Sequence, residues 1–159
     1  MGLGQALSQL GDNEAALVHY REALDRYPEA VATRYELVLL LESMGHLEEA
    51  WVQCEVLLET KPRYADALAA LGNLHGREGR LEQSARRFEQ LVRLQPGEPR
   101  GHAGLGPALA ARGQLDRAEE HLGEALRLAP GDPAARGAFE RVRRILRQRE
   151  ALSDREEVR

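Results

Sequence analysis

The sequence is poor in cysteine, in aromatic residues and in long hydrophobic runs. Only Cys54 is a cysteine among the 159 residues, so no internal disulfide can form. No apolar stretch approaches the roughly 20 residues that a membrane-spanning helix needs, and we expect no membrane partner. The N-terminal MGLGQALSQL lacks the basic start and the long apolar core of a signal peptide. This favours the cytoplasm, although the periplasm stays open.

The residues that are abundant favour helices. Aromatic residues make up 4% of the chain and β-branched residues are sparse, whereas Ala, Leu, Glu and Arg are frequent. The hydrophobic fraction of 43% and the charged fraction of 30% exclude a disordered chain. The net charge of -4 argues against a general affinity for nucleic acid.

Five series of residues recur every 34 positions. They are Pro28, Pro62, Pro96 and Pro130; Gly11, Gly45, Gly79 and Gly113; Ala16, Ala50, Ser84 and Ala118; Gly4, Val38, Gly72 and Gly106; and Leu3, Leu37, Leu71 and Leu105. In each period a helical pattern precedes the turn glycine and another follows it. Glycine can adopt the left-handed conformation that closes a helix, and the proline ends the next helix. The period therefore predicts a series of helical hairpins.

This pattern resembles the tetratricopeptide repeat over residues 1–132. The third period shows the motif most completely, with Leu71-Gly72, Gly79, Ser84, Phe88 and Pro96. The slot for an early tryptophan is lost and holds Arg34, Leu68 and His102. The aromatic slot of the second helix is half kept and holds Tyr20, Cys54, Phe88 and Leu122. The resemblance implies an all-α, right-handed superhelical solenoid of helix-turn-helix repeats with a C-terminal capping helix.

The period also sets the predicted boundaries. The repeats span residues 1–30, 31–64, 65–98 and 99–132, followed by a capping helix at 133–151 and a frayed tail at 152–159. The predicted helices of the repeats are 1–10 and 14–26, 31–44 and 47–60, 65–78 and 81–94, and 99–112 and 115–128.

One predicted helix contains several helix breakers. The stretch GHAGLGPALAARG, residues 101–113, holds three glycines and Pro107 before its turn glycine. Gly106 occupies the small packing slot, but Pro107 cannot donate a backbone hydrogen bond. We therefore predict a helix kinked at Pro107, with the carbonyl of Ala103 released towards the groove.

The resemblance also implies a concave peptide-binding groove formed by the first helix of each pair. The expected groove residues are Gln5, Tyr35, Glu36, Leu39, Glu42, Asp66, Asn73, Arg77, Arg100 and Pro107, with Arg141 and Arg144 added by the end helix. Carboxylates lie on one side of this set and arginines on the other. We therefore expect a protein or peptide partner with an apolar anchor, for Tyr35 and Leu39, and an acidic group that the arginines hold.

No residue pattern predicts chemistry. The sequence contains no nucleophile motif, no phosphate-binding loop and no histidine pair at metal-ligand spacing, so we expect no catalytic residue, no cofactor and no metal. Cys54 lies in a packing slot and is expected to be a buried, inert thiol. The arginine-rich end helix fits a solvated outer face better than a nucleic-acid site.

The sequence therefore predicts a non-catalytic scaffold that binds proteins or peptides. Two alternatives stay open, namely a docking or regulatory segment of a larger enzyme, and an RNA-binding helical repeat. The first repeat begins at its fifth position. This start predicts either a piece of a longer protein or self-association through an uncapped N-terminal end.

Overall fold

The computed structural model describes residues 2–157, and every regular element in that range is an α-helix. The helices are α1 Leu3–Gln9, α2 Asn13–Arg26, α3 Val31–Met44, α4 Leu47–Thr60, α5 Ala65–Arg77, α6 Leu81–Leu94, α7 Pro99–Ala111, α8 Leu115–Leu128 and α9 Pro133–Glu157. The predicted all-α class is confirmed.

The end of the last helix was predicted wrongly. We expected the capping helix to stop at residue 151 and the tail from 152 to fray, but α9 continues to Glu157. No glycine or proline follows residue 151 to end the helix, so the helical pattern simply continues. Residues 158 and 159, and Met1 at the start of the first predicted helix, lie outside the described part.

The turn glycines behave as the period predicts. Gly11, Gly45, Gly79 and Gly113 have φ angles of 83°, 79°, 71° and 76°. After α3, the backbone N–H of Gly45 donates to the carbonyl of Glu42, and that of His46 donates to the carbonyl of Leu41. These bonds use carbonyls that the helix end leaves without a partner, and the left-handed glycine makes them geometrically accessible.

Contacts divide the chain within α5 into two compact units. Unit 1 comprises the described residues up to Leu74, and unit 2 comprises those from His75 onwards. Each unit is described by itself below. The division into four repeats and a cap stays a prediction from the sequence.

Close approach between paired helices depends on one small residue in the first helix. In unit 1, a Cβ added at Gly4 would lie 2.9 Å from Cε1 of Tyr20. In unit 2, a Cβ at Gly106 would lie 2.4 Å from Cγ of Leu122. The second repeat holds Val38 and Cys54 at these two register positions, and both are fully buried. A larger residue in the first helix thus shares this register with a smaller one in the second, which accounts for the loss of the aromatic residue at Cys54.

The glycines at positions 104 and 101, before Pro107, also lie where α7 closely approaches another helix. A Cβ at Gly104 would lie 2.2 Å from Cε1 of Phe88, and a Cβ at Gly101 would lie 3.0 Å from Cγ2 of Val92. Both neighbours belong to α6, so α7 presents glycine wherever its backbone touches an adjacent helix. The helix across Pro107 is confirmed, whereas the kink and the released Ala103 carbonyl stay predictions.

Gly104→Ala and Gly106→Ala should each destabilise the protein, by about 1–3 kcal/mol, because the new methyl group overlaps a buried side chain. Gly137→Ala in α9 is the matched control, since its Cβ would lie 3.5 Å from the end of the flexible Arg141 side chain. That change should stabilise by up to about 1 kcal/mol, the usual gain for alanine in a helix. Urea unfolding followed by circular dichroism measures all three, and a stabilising effect at Gly106 would contradict the close contact.

Candidate binding surface

A pocket of about 240 Å³ opens in unit 1 between α1 and α3, which both carry predicted groove residues. Its lining comes from α1, α2 and α3 and consists of Gln5, Ser8, Gln9, Tyr20, Glu36, Leu39, Leu40 and Ser43. The structure therefore brings Gln5, Glu36 and Leu39 together in one pocket, while their role in binding stays a prediction. Tyr20 reaches the pocket because Gly4 leaves room for its ring.

The pocket combines one apolar wall with polar groups that can both donate and accept hydrogen bonds. Leu39 is 42% exposed although it is a large apolar side chain. The amides of Gln5 and Gln9 both donate and accept hydrogen bonds, and the hydroxyls of the serines do the same. Glu36 is the only ionisable carboxylate in the lining, and no basic side chain lines the pocket. An apolar side chain followed by a hydrogen-bond donor or a cation matches this chemistry.

The charge of Glu36 also contributes to raised pKa values at two tyrosines of unit 1. Burial, and after it the charge of Glu36, raises the pKa of Tyr20. Burial, then Asp66, then Glu36 raise the pKa of Tyr64. The ring of Tyr64 meets that of Tyr35 edge to face, with centroids 5.6 Å apart and planes at 87°. This edge of unit 1 thus combines an aromatic pair with carboxylates.

The other predicted groove residues lie at the surface as well. In unit 1, Glu42 is partly exposed on α3 and Asn73 is exposed on α5. In unit 2, five residues are exposed on three helices, namely Arg77 on α5, Arg100 and Pro107 on α7, and Arg141 and Arg144 on α9. Unlike the three pocket residues, these five do not share the lining of a described pocket.

Charge is distributed unevenly between the two units. Residues 1–74 contain 5 basic and 12 acidic side chains, a net charge of -7. Residues 75–159 contain 17 basic and 14 acidic side chains, a net charge of +3. The net charge of unit 2 is therefore more favourable for an acidic group than that of unit 1.

Three arginines of the end helix bind within unit 2. Arg143 pairs with Glu119 at 3.1 Å, and Arg149 pairs with Asp116 at 2.9 Å. Arg136 donates to the carbonyl of Pro130 at 2.5 Å. Arg141 and Arg144 are exposed neighbours on α9 and make no ion pair with a described residue.

Sequence comparison matches this architecture to a known family. Two tetratricopeptide repeat models match the chain, one over residues 7–74 and the other over residues 69–133. The chain belongs to the tetratricopeptide repeat family. No curated protein matches it in a sequence search.

Solved tetratricopeptide repeat (TPR) structures share its fold. TTC0263, a thermophilic TPR protein of Thermus thermophilus, is 27% identical, with a TM-score of 0.68 over 88% of this chain and 77% of its own. YrrB, described as a TPR protein with an unusual peptide-binding site, is 21% identical, with a TM-score of 0.78 over 92% and 76%. MamA is 18% identical, with a TM-score of 0.81 over 88% and 76%. The predicted helical-repeat solenoid is confirmed, and TPR modules of this kind generally serve as protein-interaction scaffolds.

Two features of the surface were missed from sequence. Tyr20 was assigned to packing alone, although Gly4, the small residue opposite it, was the signal that its ring could reach the pocket. The contact between His102 and His121, 3.0 Å apart through their Nδ1 atoms, was also missed. The only signal in the sequence was the spacing, because His102 and His121 are 19 residues apart, as are Arg34 and Gln53.

Side chains that could bind a metal ion do not cluster in the part of the chain that the structure describes. It contains no cluster of three or more His, Cys, Asp or Glu side chains that could hold a metal ion. None of its helices combines the length and apolar character needed to cross a membrane. Cys54 is completely buried, as expected, and burial, with smaller effects of Glu42 and Glu55, raises its pKa to about 12.

Cys54 should therefore resist iodoacetamide in the folded protein at mildly alkaline pH. Relative to the usual thiol pKa of 9.0, the raised pKa lowers the thiolate fraction roughly a thousandfold, and burial blocks access as well. Mass spectrometry should find alkylation only after denaturation in guanidinium chloride, which serves as the control. Equal alkylation rates in the folded and the denatured chain would contradict this burial.

Proposed function

We propose that this protein is a non-catalytic interaction module that binds a peptide segment of a partner on the first helices of its repeats. The single observation that supports this most is the pocket of unit 1, where Gln5, Glu36 and Leu39 converge from α1 and α3. Gln5 belongs to the first repeat, and Glu36 and Leu39 belong to the second. All three occupy repeat positions that commonly point into the groove in this family. YrrB, which has a similar fold, is described as having a peptide-binding site.

The chemistry of unit 1 favours an apolar anchor. The half-exposed Leu39 offers apolar contact area, and the pocket is deep enough to accept one side chain. Burial of a single aliphatic side chain contributes about 1.5–3 kcal/mol, which is a large part of a typical peptide affinity. Glu36 would bind a donor or a cation next to the anchor and repel a carboxylate there.

The chemistry of unit 2 favours an acidic group. Arg77, Arg141 and Arg144 are exposed and form no ion pair with described residues, so they can bind a carboxylate without first breaking an internal bond. A guanidinium binds a carboxylate through two parallel hydrogen bonds. The partner segment would thus carry an apolar anchor and an acidic group, with the acidic group bound at unit 2.

A random peptide library displayed on phage tests the anchor without knowledge of the partner. Selection on the wild-type protein should enrich sequences with an apolar residue and an acidic residue. Leu39→Asp should then weaken binding of a selected peptide about tenfold or more, because a charge replaces the apolar contact. Val52→Asp is the matched control, since Val52 is 48% exposed on α4, a second helix of a pair. Equal losses in both variants, measured by fluorescence anisotropy, would contradict the pocket.

Charge reversal in unit 2 tests the acidic group separately. Arg77→Glu with Arg100→Glu should weaken the same peptide about tenfold and reduce the salt dependence of its affinity. Arg93→Glu with Arg147→Glu changes the net charge equally at exposed arginines outside the predicted groove. The acidic-group proposal fails if both double variants lose the same affinity. Strong, salt-sensitive RNA binding without peptide enrichment would favour the RNA alternative instead.

A further inference from the structure

Two histidines of unit 2 connect α7, α8 and the link that precedes α7. The Nδ1 atoms of His102 and His121 lie 3.0 Å apart, and the ring centroids are 5.2 Å apart. Nε2 of His102 lies 3.2 Å from the carbonyl oxygen of Pro96. His102 is only 7% exposed, so its ring forms both contacts away from bulk water.

These contacts fix the position of each hydrogen in the neutral pair. The carbonyl of Pro96 can only accept, so Nε2 of His102 must carry the hydrogen and donate it. Nδ1 of the neutral His102 is then an acceptor. The Nδ1–H of His121 therefore donates to it, which leaves Nε2 of His121 without a hydrogen.

The second repeat contains the same bridge in a form that does not titrate. Arg34 donates to the carbonyl of Pro28 at 2.6 Å and to Oε1 of Gln53 at 2.6 Å. Arg34, Gln53 and Pro28 each precede their counterparts in the histidine bridge by 68 positions, which is two periods. The slot where the family motif has a tryptophan thus holds a bridging donor in both repeats.

We propose that the His102–His121 bridge is a proton-sensitive latch, closed while at most one ring is charged and open when both are. One added proton still leaves one Nδ1 as donor and the other as acceptor, so both hydrogen bonds persist. When both rings are charged, both Nδ1 atoms carry a hydrogen, so two N–H groups and two positive charges would face each other at 3.0 Å. The second proton therefore releases the start of α7 from α8.

The surroundings of the pair set the direction of its pH dependence. Burial and then His102 lower the pKa of His121, and Arg117 lowers it further, while Glu120 on α8 and Glu89 on α6 oppose this. The hydrogen bond from Arg127, and last of all the charge of His102, lowers the pKa of Glu124 on α8. From α9, the apolar ring of Phe139 approaches α8 at Gly123.

Stability should therefore fall as the pH falls below the usual histidine pKa of 6.5. A folded-state pKa below the unfolded one means that the unfolded chain binds more protons in the interval between the two. Above this interval the bridge contributes fully and its contribution does not depend on pH. Within it, exclusion of one proton raises the opening equilibrium constant up to about tenfold per pH unit, and below it the bridge contribution no longer changes with pH.

Nitrogen-15 NMR of the imidazole rings tests the bridge at neutral pH. We expect the Nε2–H tautomer for His102 and the Nδ1–H tautomer for His121, assigned with the single variants. Exposed His46 should show ordinary tautomer exchange and serves as the internal control. The opposite tautomer at His102, or exchange like that of His46 at both rings, would overturn the bridge.

Replacement by the bridge of the second repeat tests the latch. His102→Arg with His121→Gln should keep α7 and α8 protected from amide hydrogen exchange at about pH 7.5 and about pH 5 alike. The wild type and His46→Gln should lose protection there about tenfold or more over this range, after correction for intrinsic exchange. If the double variant does not fold, His121→Gln alone keeps a donor for Nδ1 of His102 and should remove the excess loss. An unchanged pH dependence in the folded variants would overturn the proposal.

Discussion

The structure depends on a close contact in which a small residue of the first helix of a pair meets a side chain of the second. Gly4 meets Tyr20 in unit 1, and Gly106 meets Leu122 in unit 2, each at a distance that leaves no room for a Cβ. The helices pack this closely only because one partner has no side chain, so a large second partner is accommodated. The two positions that form this contact recur every 34 residues, because the turn glycine and the closing proline keep them in register.

The binding surface follows from the same contact. Because Gly4 lets Tyr20 approach α1, the ring enters the wall of a pocket that α3 completes with Glu36 and Leu39. In α7, the buried Gly106 faces α8 while the adjacent Pro107 is exposed. A proline, which would interrupt a helix elsewhere, is accommodated at the exposed side while glycines make the close contacts. In α7, helix packing thus uses the side of Gly106 and leaves the side of Pro107 exposed.

Sequence predicts most of the helices because the period repeats, but it predicts individual contacts poorly. The boundaries of α3 and α4 follow directly from glycine and proline spacing, whereas α9 exceeds its predicted end because no breaker follows it. The glycines at 101 and 104 are helix breakers by propensity, and only the distances to Val92 and Phe88 show why α7 tolerates them. The His102–His121 bridge requires two side chains from different helices, a relation that single-helix spacing does not reveal. Gln5, Glu36 and Leu39 could be predicted because their register alone places them on one face.

We propose that ligands bind at the exposed face of the first helices. Site-specific photocrosslinking in cells that express the protein tests it most directly, with a photoreactive amino acid at Leu39 or at Val18. Val18 is the matched position, since it is 53% exposed on α2, the second helix of its pair. We expect the photoreactive residue at position 39 to yield a discrete adduct to one peptide segment, and the one at position 18 to yield none. Equal adducts from both positions, or an adduct from Val18 alone, would contradict it.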